Sequence, residues 1–245
     1  MKAMILAAGV GSRLRPLTDH CPKALIELNG VPMLEIVIRR LLEAGVDEIV
    51  VNVFHLAEMI VDFLESKRQF GIRIEVSREA ELLDTGGSLK KVAHFFDDGT
   101  PFFLHNVDVV TDIDLGRMYR FHLARPALAT LAVQAKTSRR YLLFDGRGQL
   151  CGWESVGENT RLWAGAPVER AERLAFTGVH VISPEIFPRM SEGKAFPIIR
   201  AYLRLAGHGE RIQSFRADEW YWADIGSPAK LEDVRRQVRE LGLPL

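Results

Sequence analysis

What most limits the fold of this chain is the rhythm of its opening, where apolar runs of strand length alternate with stretches whose apolar positions recur at helical spacing. Met1 to Ala8 is an apolar run bounded by glycine, as a parallel strand buried on both faces requires. Pro32 to Ala44 (PMLEIVIRRLLEA) has the helical period, with proline near its start and Gly45 just past its end. EIVVNVF reads as a second strand, LAEMIVDFLESKRQF as a second helix closed by Gly71, and IRIEVS as a third strand. A helix over Ser88 to Phe96, a strand at PFFLHNV and a helix near Leu115 to Ala124 continue the series. Such alternation predicts an α/β fold with a doubly wound sheet, helices on both faces, and ligand chemistry at the carboxyl ends of the strands.

Beyond about residue 125 the rhythm changes. ALATLAVQA, RYLLFD, QLCGW and LAFTGVHVIS are strand-like, with GRG and GEN as turn signals between them, so this portion is expected to be β-rich. A helix around Pro197 to Leu205, a strand RIQSF, the segment WYWADIGSP and a closing helix from about Pro228 to Leu241 complete the chain.

Composition narrows the function. The 32 basic and 32 acidic residues cancel, so no global field draws the protein to nucleic acid or to an acidic membrane, and any anion site must be built locally. The two cysteines, Cys21 and Cys151, have no CxxC spacing, which argues against a disulfide framework or a thiolate zinc site and for the reducing cytoplasm. The apolar run after Lys2 is too short for a signal peptide and is followed at once by Gly11, Arg13 and Arg15; no stretch approaches the roughly 18 to 20 apolar residues of a membrane span.

The loop LAAGVGSRLRPLT holds the sharpest chemical signal. Gly9 and Gly11 have GxG spacing, but Leu14 stands where the dinucleotide fingerprint needs its third glycine, and no GK[ST] follows. A glycine turn at a strand end still lets backbone N–H groups approach a phosphate, and Arg13 and Arg15 add donor forks that match phosphate oxygens. The competing reading of the loop alone is a tight turn carrying two solvated arginines.

The loop and its continuation through CPKAL resemble the signature of the sugar nucleotidyltransferases, G-x-G-[ST]-R-[LM]-x-P-L-T followed by P-K. The resemblance extends through GVPMLEIVIRRLLEAGVDEIVVNV, LLDTGGSL, HNVDVVTDIDL, FTGVHVISPEIF and WADIGSPAKL. The chain is most similar to short enzymes of the N-acetylmuramate-1-phosphate uridylyltransferase and mannose-1-phosphate guanylyltransferase kind. It implies a Rossmann-like mixed sheet in a single domain over 1–245, with a nucleotide-binding half at 1–125 and a sugar-phosphate-binding half at 126–245. Because the chain ends at Leu245, the left-handed β-helix of longer relatives is expected to be absent. The implied partners are a nucleoside triphosphate and a sugar 1-phosphate; no oligomeric state is implied.

The implied reaction is in-line attack of the sugar phosphate on the α-phosphorus with departure of pyrophosphate, which calls for charge neutralisation and alignment and needs no general base. By motif match Ala7, Ala8, Gly9, Gly11 and Ser12 line the triphosphate. Arg13 holds the departing phosphates and Lys23 lies near the reacting centre; both count as catalytic. Asp108 and Asp224 suit Mg²⁺, a hard ion that takes one or two carboxylates together with substrate phosphates. Taken alone, each aspartate also suits a turn or helix cap. Gly86 and Gly87 are expected near the base or sugar with Glu79, while Asp84 or Thr85 suits a helix cap. Gly178 is expected near the sugar or, alternatively, in a β-bulge.

Two departures from the family pattern stand out. Asn106-Val107-Asp108 replaces the common Gly-Asp, and Gly152-Trp153-Glu154-Ser155 replaces the E-K-P segment that supplies a sugar-phosphate lysine, leaving Lys136, Arg139 and Arg140 as candidates for that cation. Asp112 and Asp114 read as a turn and a helix start, His55, His105 and His180 as structural, and Trp220, Tyr221 and Trp222 as core aromatics or a sugar-stacking surface. Two other readings compete with the enzyme: a non-catalytic nucleotide sensor, and nucleotidyl transfer to another phosphorylated alcohol such as phosphocholine.

Overall fold

The structure, a computed structural model, describes residues 1–242. In chain order its elements are β1 (Lys2–Leu6), β2 (Glu27–Leu28), β3 (Val31–Pro32), α1 (Met33–Glu43), β4 (Glu48–Val53), α2 (Ala57–Ser66), β5 (Arg73–Arg78), α3 (Asp84–Lys91), β6 (Phe102–Asn106) and β7 (Val109–Thr111). There follow α4 (Leu115–Leu123), β8 (Ala129–Gln134), β9 (Arg140–Phe144), β10 (Leu150–Ser155), β11 (Thr160–Trp163), β12 (Glu172–Ile182), α5 (Ile198–Gly207), β13 (Ile212–Arg216), β14 (Trp222–Asp224) and α6 (Pro228–Leu241). Every helix and strand named from the sequence is present, with ends shifted by a few residues. The exception is the helix after DTGG, which begins a full turn early and takes Asp84 to Gly87 into its first turn.

The chain divides into two compact units, and the division does not fall near residue 125. One unit comprises Met1–Leu82, His105–Asp114 and Trp220–Leu245, and the other Leu83–Leu104 and Leu115–Glu219. The reason lies in the crossings of the chain: an excursion at 83–104 leaves the first unit, and the segment from Trp220 returns to it.

In the first unit β1, β4 and β5 form a parallel ladder, running from Lys2↔Glu48 to Leu6↔Asn52 and from Glu48↔Arg73 to Val53↔Arg78. The middle strand is almost entirely buried, as its apolar run requires. α1 turns Met33, Leu34, Ile36, Val37, Ile38 and Leu41 inward. Gly45, at φ +88°, lets the chain leave that helix, with its N–H on Leu42 O and that of Val46 on Leu41 O. A second core joins Leu14, Ile26, Leu28, Met33, Ile36, Val110, Ile225, Leu231, Val234 and Val238, so the glycine loop, the β2–β3 hairpin, β7 and α6 are anchored together. β7 and β14 form a short antiparallel ladder, Trp222↔Thr111 to Asp224↔Val109. Neither strand was apparent in the sequence, because each has only three residues.

The second unit is the β-rich portion. β11, β10, β9, β12 and β8 pair antiparallel in that order, and β13 joins β8 in parallel, so the fold is α/β with a mixed sheet as expected. Phe96 stacks on Phe102 at 3.7 Å between ring centroids and both lie near Phe187. The buried His122 sits in a closed relay: Nδ1 to Thr130 Oγ1 at 2.8 Å, Nε2 to Ser183 Oγ at 2.9 Å, with Gln213 donating to Thr130 at 2.9 Å and Ser183 to Ala127 O at 2.7 Å. No helix among the described residues is long and apolar enough to cross a membrane.

Candidate active site

The site is built in the first unit, at the carboxyl end of its parallel strands. Three neighbouring strands fix where the glycine loop begins: Glu79, just past β5, accepts from Asn52 Nδ2 at 2.8 Å, and Asn52 Oδ1 accepts the N–H of Ala7 at 2.7 Å. All three residues are buried. The N–H of Ala7 is thus used within the chain, and one oxygen of the Glu79 carboxylate, 8% exposed, is turned to Asn52. Asn52 was missed, although an amide inside the apolar strand EIVVNV was a legible signal, since buried polar groups need partners.

The loop itself is held from below. Gly11 has φ +68°, and a Cβ there would lie 2.7 Å from Thr18 Cγ2 and 3.3 Å from Lys23 Cβ. Thr18 is buried, donates to Gly11 O at 2.9 Å, and meets His55 Nε2 through its own carbonyl at 3.2 Å. His55 is thus a brace, as expected of a structural histidine. Gly9 differs: its φ is not positive and nothing lies within 4 Å of a Cβ built on it. Among the described residues none accepts the N–H of Gly9 or Gly11. The 3₁₀ turn Ser12–Leu14 buries Leu14 completely and leaves Ser12 and Arg13 exposed.

Lys23 opens the 3₁₀ turn Lys23–Leu25 after Pro22, and its ammonium is paired with Asp108 Oδ2. The side chains are 13% and 22% exposed, so this ion pair is largely withdrawn from water. Asp108 is set by its neighbours' backbone: Val107 N–H donates to Leu6 O at 3.2 Å, and Ile225 N–H donates to Asp108 O at 3.0 Å. The first bond ties it to the end of β1, the second to β14. The β7–β14 ladder then brings Asp224 opposite Val109, one position from Asp108, although the two aspartates are far apart in sequence. Asp224 Oδ1 accepts the N–H of Gly226 at 3.0 Å, and its Oδ2 is paired with Lys230. A Cβ at Gly226 would fall 2.6 Å from Asp224 Oδ1 and 3.0 Å from Arg13 Nη2, so Arg13 reaches the same corner. Five sequence candidates, Gly11, Arg13, Lys23, Asp108 and Asp224, therefore converge in one unit, and Lys230 joins them without having been foreseen.

Other residues of this unit are structural. Asp112 Oδ1 accepts the N–H of Tyr221 at 2.6 Å, so it fastens the β7–β14 ladder. Tyr221 donates to Gln237 and has its phenol pushed up to about 12, by burial and then by Asp112 and Asp233. His105 is buried, with Nδ1 2.8 Å from Asn106 O, and desolvation lowers it to about 4. Among the described residues no group of three or more His, Cys, Asp or Glu is placed to hold a metal by itself.

In the second unit the DTGG glycines serve the chain. Gly86 and Gly87 donate to Phe196 O at 2.9 and 3.3 Å, and a Cβ on Gly86 would strike the Phe196 ring at 2.3 Å. Both make a close backbone approach, and the group they meet is Phe196, just before α5. Thr85 caps that helix, its Oγ1 accepting the N–H of Ile198 at 2.8 Å. Gly178, at φ +83°, lies where the β12–β8 register shifts between Phe176 and His180, so the bulge reading describes it. Lys136, Arg139 and Arg140 are exposed, and Arg140 faces Glu158 at 3.7 Å. Where relatives have E-K-P, Glu154 is held between Arg161 and Arg173, each at 2.6 Å.

The sequence model of the nucleotidyl transferase family matches residues 2–240, and the chain belongs to that family. N-acetylmuramate alpha-1-phosphate uridylyltransferase of Neisseria meningitidis serogroup B is 31% identical over 239 residues, covering 96% of this chain and 97% of that protein. Mannose-1-phosphate guanyltransferase of Yarrowia lipolytica is 31% identical over 237 residues, covering 93% of this chain but 61% of the relative, so the chain spans less than two thirds of that fungal protein. Among solved structures, HddC from Yersinia pseudotuberculosis complexed with GMP-PN has a TM-score of 0.75 at 19% identity, covering 96% of this chain and 98% of that one, which speaks for the fold.

Proposed function

We propose that this chain is a Mg²⁺-dependent nucleotidyltransferase that joins a sugar 1-phosphate to a nucleoside triphosphate, releasing pyrophosphate. The observation that carries the reading is the convergence of Arg13, the Lys23–Asp108 pair and Asp224 on a glycine loop whose N–H groups at Gly9 and Gly11 have no acceptor among the described residues. Backbone N–H groups and a guanidinium fork are the donors a triphosphate demands. At Gly9, where the chain itself makes no steric call for glycine, the missing side chain leaves room for a phosphate beside the backbone.

Each group then has a task. The loop amides and Arg13 hold the phosphates that depart. Lys23 neutralises charge near the α-phosphate, and because it already pairs with Asp108 it is preorganised for that position. Asp108 and Asp224 are the residues that would hold the metal: two hard oxygen donors, each carrying a lysine ammonium, are a donor set suited to a hard cation that completes its shell with phosphate and water. When bound, Mg²⁺ supplies charge neutralisation at the α-phosphate and helps to align the reactants. The attacking sugar phosphate is already an anion and needs no base, which agrees with the structural roles of His55 and His105. Both cysteines are free thiols, in keeping with work in the reducing cytoplasm.

UTP with N-acetylmuramate 1-phosphate is the first substrate pair to try, because the relative named for it matches this chain from end to end. The test is pyrophosphate release with Mg²⁺ across nucleoside triphosphates and sugar 1-phosphates, including mannose and glucose, with Asp108→Asn as control. Turnover in one combination, lost in the control, identifies both substrates. Nucleotide binding with no turnover anywhere would overturn the enzyme reading in favour of a sensor.

A further inference from the structure

Lys230 lies in the WADIGSPAKL stretch but was given no site role from the sequence, yet its ammonium is the partner of Asp224 Oδ2. It sits in the first turn of α6, where Ser227 Oγ accepts its backbone N–H at 3.4 Å, so its Cα is fixed while its side chain stays 54% exposed. Asp224, 24% exposed, is otherwise held by the N–H of Gly226 at 3.0 Å. The companion pair differs: Lys23 and Asp108 are 13% and 22% exposed, and both are pinned between loop and ladder. Of the two lysines on the two carboxylates, one is enclosed and the other can swing out on its four-carbon stem.

The charges add a constraint. Two carboxylates with two ammoniums make a neutral cluster, and Arg13 at the same corner makes it positive. A divalent cation entering such a cluster meets like charge, so a lysine must leave the carboxylate it takes. The two carboxylates are alike in exposure, 24% and 22%, so the difference lies in the lysines: Lys230, 54% exposed, can move into solvent, whereas Lys23, 13% exposed, is enclosed.

Resting on the function proposed above, we infer that Lys230 is a displaceable counter-ion. It neutralises Asp224 while no metal is bound, and it yields that carboxylate when a divalent cation loads. The released ammonium then contacts the polyphosphate brought in with the metal. Lys230 is thus a positioning residue that makes metal entry favourable chiefly when nucleotide is present to receive it.

The experiment uses the full chain and Mn²⁺ alone, followed by electron paramagnetic resonance of the free ion at low salt, with wild type, Lys230→Met, Lys230→Arg and Asp224→Asn. Without nucleotide, Lys230→Met binds Mn²⁺ roughly two- to fivefold more tightly than wild type, the scale of a partly exposed ion pair, and the gain shrinks as salt is raised. Lys230→Arg stays near wild type. In turnover assays Lys230→Met raises KM for the nucleotide by more than it lowers kcat. Thermal melting is unchanged, because the side chain is mostly solvated. Mn²⁺ binding that depends on Asp224 but is equal or weaker in Lys230→Met overturns this proposal alone. Absence of Asp224-dependent binding in every variant overturns it together with the metal-site reading of the carboxylates.

Discussion

Gly9 and Gly11 stand two residues apart in one loop, and the physical demands on them are opposite. At Gly11 a Cβ would meet Thr18 at 2.7 Å on a backbone with φ +68°, so Gly11→Ala is expected to cost about 1–3 kcal/mol, read as a lower urea midpoint. At Gly9 a Cβ would enter open space, so Gly9→Ala should melt with wild type while its KM for nucleotide rises roughly tenfold, about 1.4 kcal/mol of lost binding. Equal losses of stability in the two variants would show that the loop is only a turn. Lys23→Ala belongs to the same scale: it removes one half of a pair 13% and 22% exposed and should lower kcat by roughly 10²–10³, the range seen when one preorganised donor to a developing charge is lost. A steady-state assay run well below the variant's own melting temperature checks it, since the enclosed pair also contributes to stability. The loop residues and both aspartates were legible in the sequence because a motif of contiguous residues preserves local geometry. Asn52 was legible only as an amide in need of a partner and Lys230 not at all, since what makes them matter is a partner 45 residues away in one case and an ammonium reaching back six in the other.

Between elements, the meeting of α3 and α5 depends on having no side chain at one position and one hydroxyl at another. Gly86→Ala would drive a Cβ to within 2.3 Å of the Phe196 ring and 2.9 Å of its carbonyl oxygen, which the chain can relieve only by separating the two helix starts. A loss of about 1–3 kcal/mol is expected in denaturant unfolding. Thr85→Ala removes the acceptor for Ile198 N–H and should cost about 0.5–2 kcal/mol, whereas Thr85→Ser, which keeps the hydroxyl, should recover most of it. An alanine variant as stable as wild type would remove the cap from the account. The sequence placed a helix after DTGG and a cap at Asp84 or Thr85, but not the helix that is capped. Local propensity says that a threonine hydroxyl seeks an N–H; it does not say that the N–H is 113 positions away.

For the molecule as a whole, acid sensitivity follows from its buried histidines. His105 and His122 are both lowered to about 4, chiefly by desolvation, so the folded chain keeps them neutral while the unfolded chain takes up protons near pH 6.5. The contribution of these histidines is therefore full above that value, falls as pH drops from about 6.5 toward 4, and levels off below, with a loss on the order of a few kcal/mol. Urea midpoints at several pH values measure this, and His122→Asn, which cannot titrate, should flatten the slope between pH 7 and 4.5 whatever its effect at pH 7; an unchanged slope would clear His122 of the effect. Read by itself, the sequence determined the α/β alternation, the glycine loop, the candidate charged residues Arg13, Lys23, Asp108 and Asp224, and the family, because periodicity and contiguous motifs depend on near neighbours along the chain. Only the tertiary structure decided that the chain divides at 82, 104, 114 and 219 rather than near 125, that two three-residue strands carry the aspartates to neighbouring positions, that Gly86 and Gly87 face Phe196, and that Glu79 answers Asn52. Each of these rests on contacts between residues distant in sequence, and such contacts are chosen by how the whole chain buries its apolar surface and satisfies its polar groups.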